Sequence, residues 1–197
     1  MNWAAALTLL MLGGGLSAEP RVVDSHVFNT VVAGKTWMTL SGTAEATTDL
    51  GPDRLLDVIT DWTAYPRLFR TVRTADVVTD GDAVLLSETN VVTVFAFSVT
   101  NKFTLRVVVH RLDSGGAAVR WTQERTDGTI DNMQGGWDLE PVTFGGKPGT
   151  LIRYRTVSSV PQAVPGQDAL VGLFFPGELK QIVASVLAEA RLKKEKP

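Results

Sequence analysis

Between residues 70 and 160 the chain alternates apolar and polar side chains again and again, with only short turns between the runs and no helical stretch. Strands joined this way pair antiparallel. A sheet of that kind has one apolar face that something else in the chain must cover. The longest run, residues 95–112, puts Phe95, Phe97, Val99, Asn101, Phe103, Leu105, Val107 and Val109 on one parity. Ala96, Ser98, Thr100, Lys102, Thr104, Arg106, Val108 and His110 fall on the other. This predicts a long strand with one buried and one wet face. Asn101 is the polar exception on the apolar side: either a polar group in a pocket, or a point where the strand leaves the core. Further strands are predicted over 36–47, 70–79, 83–94, 117–126, 130–142 and 150–160. Turns fall at Asp80-Gly81-Asp82, Ser114-Gly115-Gly116 and Asp127-Gly128, with a loop over 145–149.

Two segments change period and supply the cover. Over residues 52–69, Pro52 and Asp53 suit a helix start, and Leu55, Leu56, Ile59 and Trp62 fall on one helical face. Pro66 disfavours helical geometry at Tyr65 and is expected to end the first helix there. Near the end of the chain, Leu179, Ile182, Val183, Val186, Leu187 and Ala190 are three and four apart, with Lys180, Gln181, Ser185 and Glu189 opposite. That is a long amphipathic helix. It is preceded by Pro176-Gly177 and by an irregular or short helical lead-in over 161–175. The architecture expected is α+β: a curved antiparallel sheet wrapped around the C-terminal helix, with two short helices after the first strand.

Composition removes several classes of function. A formal charge of −2 gives little attraction for nucleic acid, whose binding rests on many phosphate contacts. With no cysteine there are no disulfides, thiolate metal sites or thiol nucleophiles. Residues 3–12 form an apolar run broken by Gly13 to Gly15 and followed by Leu16-Ser17-Ala18. This reads as an export signal over residues 1–18, although Met1-Asn2 carries no Lys or Arg. A run of about ten residues is too short to span a bilayer as a helix. The expectation is a soluble exported protein, periplasmic or secreted, with an unassigned segment over 19–35 and one domain over 36–194.

The segment LLDVITDWTAYPRLF at 55–69, the strand residues Gly136-Trp137-Asp138-Leu139 and the tail at 160–194 together resemble the START-like, helix-grip (SRPBCC) superfamily. Within it the chain is most similar to the polyketide cyclase/dehydrase and coenzyme Q-binding group. The resemblance spans residues 36–192 and rests on the order of elements more than on any single motif. It implies a hydrophobic tunnel between sheet and helix that takes up a lipid, sterol, isoprenoid, quinone or polyketide. It brings no shared catalytic triad.

Candidate ligand-contacting residues are Trp62 and Tyr65 from the first helices and Phe97, Asn101 and Phe103 from the long strand. Trp121, Trp137 and Tyr154 would come from later strands, and Phe174, Phe175, Leu179, Val183 and Val186 from the lead-in and last helix. Each could equally be ordinary core; the idea needs only that together they leave a void. Arg153 and Arg155 share the parity opposite Tyr154 and are expected outside, in solvent. The two histidines, His26 and His110, have no sequence neighbours that suggest a triad, and a catalytic zinc site normally uses three protein ligands. The reading is therefore a binding protein that shields or carries a hydrophobic small molecule, without cofactor or metal. Transient contact with a membrane goes with it, and the oligomeric state is left open. The alternatives are a polyketide cyclase or aromatase, and an adaptor domain with an apolar groove.

Overall fold

A computed structural model describes residues 17–94, 97–162 and 166–195. Eight strands form one antiparallel sheet: β1 (Arg21–Val32), β2 (Lys35–Thr48), β3 (Val72–Asp80), β4 (Ala83–Val94), β5 (Phe97–Arg111), β6 (Ala117–Thr126), β7 (Asp131–Phe144) and β8 (Lys147–Pro161). Their order across the sheet is β1-β2-β8-β7-β6-β5-β4-β3. Between β2 and β3 come helix α1 (Pro52–Ile59), a 3-10 turn (Trp62–Ala64) and helix α2 (Tyr65–Leu68). The last element is α3 (Gln167–Glu195), 29 residues long. This is the sheet-around-a-helix arrangement expected from the sequence.

Four details differ from the sequence reading. The unassigned segment over 19–35 is mostly β1, an edge strand paired with β2 from Arg21↔Glu45 to Val32↔Lys35. The two short helices therefore follow the second strand, not the first. The loop expected at 145–149 shrinks to the pair Gly145 and Gly146, with φ of 58° and 75°. Two consecutive left-handed residues make the tight hairpin turn whose twist matches the flanking strands, so β7 and β8 extend almost to it.

The third difference concerns the first helical segment. The break falls at Thr60 and Asp61, not at Tyr65. Thr60 Oγ1 donates back to the Leu56 carbonyl at 2.8 Å, the local competition that lets threonine close a helix. Pro66 then sits in the first turn of α2, where its missing N–H costs nothing. In the fourth, the lead-in is helical from Gln167, so Pro176 lies inside α3. A proline there removes the hydrogen bond to the carbonyl of Gly172 and crowds it, weakening the helix at that point. By length and composition, residues 167–193 would also suit a membrane span. In this fold the second half is instead a core helix: Leu179, Val183, Val186 and Ala190 are wholly buried.

Register explains how the sheet accommodates α3. One row across the concave face runs Val107, Trp121, Gly135, Thr156, Gly42. The next runs Val119, Trp137, Tyr154, Ala44. The row is bulky in the middle of the sheet and small on β2, where α3 crosses. At Gly42 a Cβ would lie 2.5 Å from Leu179 Cδ1 and 3.1 Å from Phe175 Cε1. Glycine is therefore needed there for close approach of the helix. The polar parity carries ion pairs: Glu45 meets Arg21 and Arg153, and Asp138 meets Arg120 and Arg155. Both Arg153 and Arg155 thus lie on the outer face.

Gly42→Ala should force α3 off the sheet and destabilise the fold by about 1–3 kcal/mol, the usual cost of overpacking. Urea unfolding checks this. Combined with Leu179→Ala, which removes the clashing methyl, the double variant should lose less than the sum of the two single changes.

Candidate functional site

The apolar stripe of α3 from Val183 to Ala190 is seated flush, while Phe175, Leu179, Ile182 and Ser185 border open space. Val183, Val186, Leu187 and Ala190 share one buried cluster with Leu55, Leu56 and Ile59 of α1. Polar clamps hold this stretch down. Arg54 Nε donates to the Ala190 carbonyl at 2.9 Å. Arg67 makes a two-pronged pair with Glu189 at 2.7 and 2.8 Å, and Lys193 reaches Asp61 at 2.8 Å. Hydrogen bonding from Arg67 holds the Glu189 carboxyl below its ordinary value.

Under the middle of α3, between Phe175 and Ser185, there is a cavity of about 220 Å³. Its roof is Phe175, Leu179, Ile182 and Ser185 of α3. Its flank is Trp62, Tyr65 and Phe69. Its floor is the concave face of β4 to β8: Leu86, Glu88, Asn90, Leu105, Val107, Trp121, Met133, Trp137, Tyr154, Thr156 and Ser158. Small or short residues stand along the rows beside the aromatic rings, some to admit a ring and some bordering the void. Gly135 faces Trp121 across β6 and β7, and a Cβ there would lie 2.6 Å from the indole and 2.3 Å from the Arg155 carbonyl oxygen. On β8 the inward residues shrink from Ile152 and Tyr154 to Thr156 and Ser158, and α3 offers Ser185 above them. A bulge in β7, with Asn132 at φ 51°, precedes Met133, which joins the lining. Arg70, largely in solvent, and the half-buried Glu178 form an ion pair between the end of the α2 segment and α3, at the mouth.

Most of the lining is apolar or aromatic. Tyr65 packs edge-on to Trp62 and Phe69, at ring distances of 5.5 and 4.8 Å. Tyr154 lies against Trp137 at 4.7 Å and Trp121 at 5.8 Å. Tyr65 donates its hydroxyl to the Ile59 carbonyl at 2.7 Å, which fixes the ring. Burial pushes both phenols up, Tyr65 well above its ordinary value and Tyr154 up to about 12.

The polar exception is Glu88, 8% exposed. Burial pushes its carboxyl up to about 7, and a 3.3 Å hydrogen bond from the Asn90 amide offsets only part of that. Among the described residues Asn90 Oδ1 and Trp121 Nε1 are buried without a hydrogen-bond partner. Such orphaned groups are uncommon in a finished core and normally find a partner.

The candidates read from sequence divide accordingly. Trp62, Tyr65, Trp121, Trp137, Tyr154, Phe175 and Leu179 line the cavity. Phe103, Val183 and Val186 are sealed in the core instead, on the row beside Glu88 and beneath the flush stretch of α3. Phe174 turns outward, 51% exposed, because the helix begins at Gln167 and carries it to the solvent side. Asn101 is 5% exposed and stands opposite Asn90, outside the lining, with its Oδ1 unpartnered among the described residues. The side chain of Phe97 lies outside the described residues. Sequence reasoning missed Glu88 and Asn90 as site residues. The available signal was two polar side chains two apart in residues 83–94, but nothing local fixed which parity faced inward.

A single curved antiparallel sheet closing on a long helix over an apolar cavity is the START-like, helix-grip architecture. The chain belongs to the family described as polyketide cyclase/dehydrase and lipid transport, whose model matches residues 49–187. Solved structures agree in fold. A STAR-related lipid transfer protein from Xanthomonas axonopodis superposes with a TM-score of 0.62 at 12% identity, covering 85% of this chain and 98% of that one. Human StAR-related lipid transfer protein 5 gives 0.64 at 10% identity, covering 86% and 88%. The Zhui aromatase/cyclase from a Streptomyces species gives 0.58 at 16% identity, covering 80% and 97%. No curated protein sequence matches the chain.

Glu88 gives the empty protein a pH signature. Its folded pKa, about 7, lies above the ordinary 4.5, so the folded state holds the proton more tightly than the unfolded state does. Stability should then fall as pH rises from about 5 to 8. Glu88→Gln removes the titration. Relative to wild type, the variant should gain a few kcal/mol between those pH values, at about 1.4 kcal/mol for each pH unit separating the folded and unfolded pKa. Denaturant unfolding at several pH values measures this; parallel curves would mean the carboxyl is not desolvated.

Proposed function

We propose that this protein binds a hydrophobic small molecule (a lipid, sterol, isoprenoid or quinone) in the cavity under the middle of α3, and shields or carries it. The carrying observation is the unfilled apolar volume of about 220 Å³ between helix and sheet. Dry interiors of this size are seldom left empty, because each void forfeits packing contacts. The volume is below the roughly 300–1,000 Å³ of pockets for drug-sized ligands. A larger molecule would therefore extend through the mouth or lift the roof. The roof has a weak point suited to this: Pro176 interrupts the helix, and Gly172 and Gly177 have nothing within 4 Å of where a Cβ would stand. The part of α3 before Pro176, which brings Phe175 to the lining, is the gate in this reading, and the Arg70–Glu178 pair holds the helix just past the hinge.

A membrane is the natural place for such a gate to open. Leu170, Leu173 and Phe174 on the first turns of α3 are 40%, 75% and 51% exposed. The Asn29 amide donates to Asp168 at 3.0 Å, which places the exposed Val31 of β1, on the same face as Asn29, beside them. Contiguous exposed apolar side chains of this kind mark contact surfaces. The apolar run over residues 3–12 supports export of the protein to the periplasm or beyond, which cell fractionation would test. A cyclase or aromatase reading rests on the family and on one neighbour of that description. It would need an acid–base pair at the reacting atoms, and Glu88 is the one carboxyl on the cavity floor.

Native mass spectrometry of the purified protein should show an apolar molecule co-purifying at near one-to-one. Ile182→Trp, which fills the roof from a half-buried position, should reduce uptake at least about tenfold while leaving unfolding cooperative. Undiminished uptake would move the site elsewhere. For the membrane surface, Leu173→Glu combined with Phe174→Glu should cut sedimentation with phosphatidylcholine vesicles several-fold, since each exposed apolar side chain contributes about 1–2 kcal/mol to insertion. Unchanged sedimentation would remove that surface from the reading.

A further inference from the structure

The chemistry of the cavity floor says more about the ligand than that it is oily. Glu88 projects into the cavity and, among the described residues, makes no ion pair; its hydrogen-bond partner is the Asn90 amide. A floor built to receive a hydroxyl could be served by an amide, with no ionisable group to desolvate. A carboxyl in that position is costly unless a cation joins it. The walls around it are Trp and Tyr rings: Trp62, Tyr65, Trp121, Trp137 and Tyr154. The faces of such rings carry partial negative charge and attract cations. Asn90 Oδ1 adds a buried acceptor with no donor among the described residues. Arg70, the one cation in the lining, is at the mouth and paired with Glu178. The floor therefore gathers negative potential with nothing positive against it. A carboxylate or phosphate seated there would meet Glu88 unpaired.

We propose that the ligand is an amphiphilic amine, entering with its ammonium group innermost, seated on Glu88 and Asn90 Oδ1 and enclosed by the Trp121, Trp137 and Tyr154 rings. This rests on the hydrophobic-carrier reading and specifies its ligand. The indole N–H of Trp121 then needs an acceptor, which a hydroxyl or carbonyl oxygen next to the amine supplies. The other titratable groups of the lining are Tyr65 from α2, Tyr154 from β8, and the Arg70 and Glu178 pair from the α2 segment and α3. Strands β3, β5, β6 and β7 contribute none. Tyr65 and Tyr154 stay neutral because burial raises both, so the proton that moves on binding is that of Glu88.

The test compares octylamine, octanol and octanoate, which share one tail and differ in the head. At pH 8 octylamine should bind at least about tenfold more tightly than octanol, with octanoate weakest. Below pH 7 the amine's affinity should fall by up to about tenfold per pH unit while that of octanol stays flat. Calorimetry of the wild-type protein at pH 7 in buffers of different ionisation heat should detect release of about half a proton per amine bound. Glu88→Gln should abolish the preference and the proton release while still binding octanol. Octanol or octanoate binding as tightly as octylamine, or a preference that survives Glu88→Gln, overturns the amine and leaves the carrier reading standing. Binding of none of the three overturns both.

Discussion

Everything in this structure depends on how closely one helix can approach one sheet. Leu179 of α3 comes down onto Gly42, where even a methyl group would collide with it. Ala44 and Ala46 continue the low ground along β2, so the helix descends there. Past that crossing the apolar stripe from Val183 to Ala190 is sealed against α1 and the sheet. The clamps from Arg54, Arg67 and Lys193 fix this stretch in place. Between Phe175 and Ser185 the same helix also roofs a gap. A helix held at one end and relieved at the other by Pro176 combines a rigid anchor with a movable cover.

The gap is a product of side-chain size laid out in register. Trp121, Trp137 and Tyr154 stand at the middle of the sheet with their rings tilted against one another, and Trp62, Tyr65 and Phe69 brace edge to face on the helical flank. Around them stand Thr156, Ser158 and Ser185, which are too small to fill the space between. Into this dry enclosure the chain places one carboxyl with only an amide for company, and burial raises its pKa to about 7. A core selected for stability alone would put an apolar residue there. Glu88 is the residue least explained by folding and best explained by a ligand.

The fold was largely legible from local patterns. Period-two alternation over residues 95–112 and the three-and-four spacing from Leu179 to Ala190 each name an element, because strand and helix geometry repeat with those periods. Short turns between strands fixed antiparallel pairing. β1 escapes such reading because its alternation over Arg21–Val32 is weak: it is an edge strand, exposed along much of its length, with little apolar face to advertise. Pro66 misleads where Pro176, inside α3, does cost its helix a hydrogen bond. Proline is a breaker only where its N–H is needed, and that depends on where each helix actually starts.

What the sequence determined by itself was the set of elements, their order and which parity of each strand is apolar, since these follow from backbone geometry and solvent. It also supplied the aromatic residues that came to line the cavity. Only the tertiary structure decided which buried residues touch empty space and which touch each other. Val183 and Leu179 look alike on the helical stripe and both are buried, yet only Leu179 borders the cavity, because what lies beneath each is supplied by side chains from distant strands. The inward turn of Glu88 was settled the same way. Its parity matters only once β4 is paired with β5 and closed beneath the helix, and no local pattern encodes that closure.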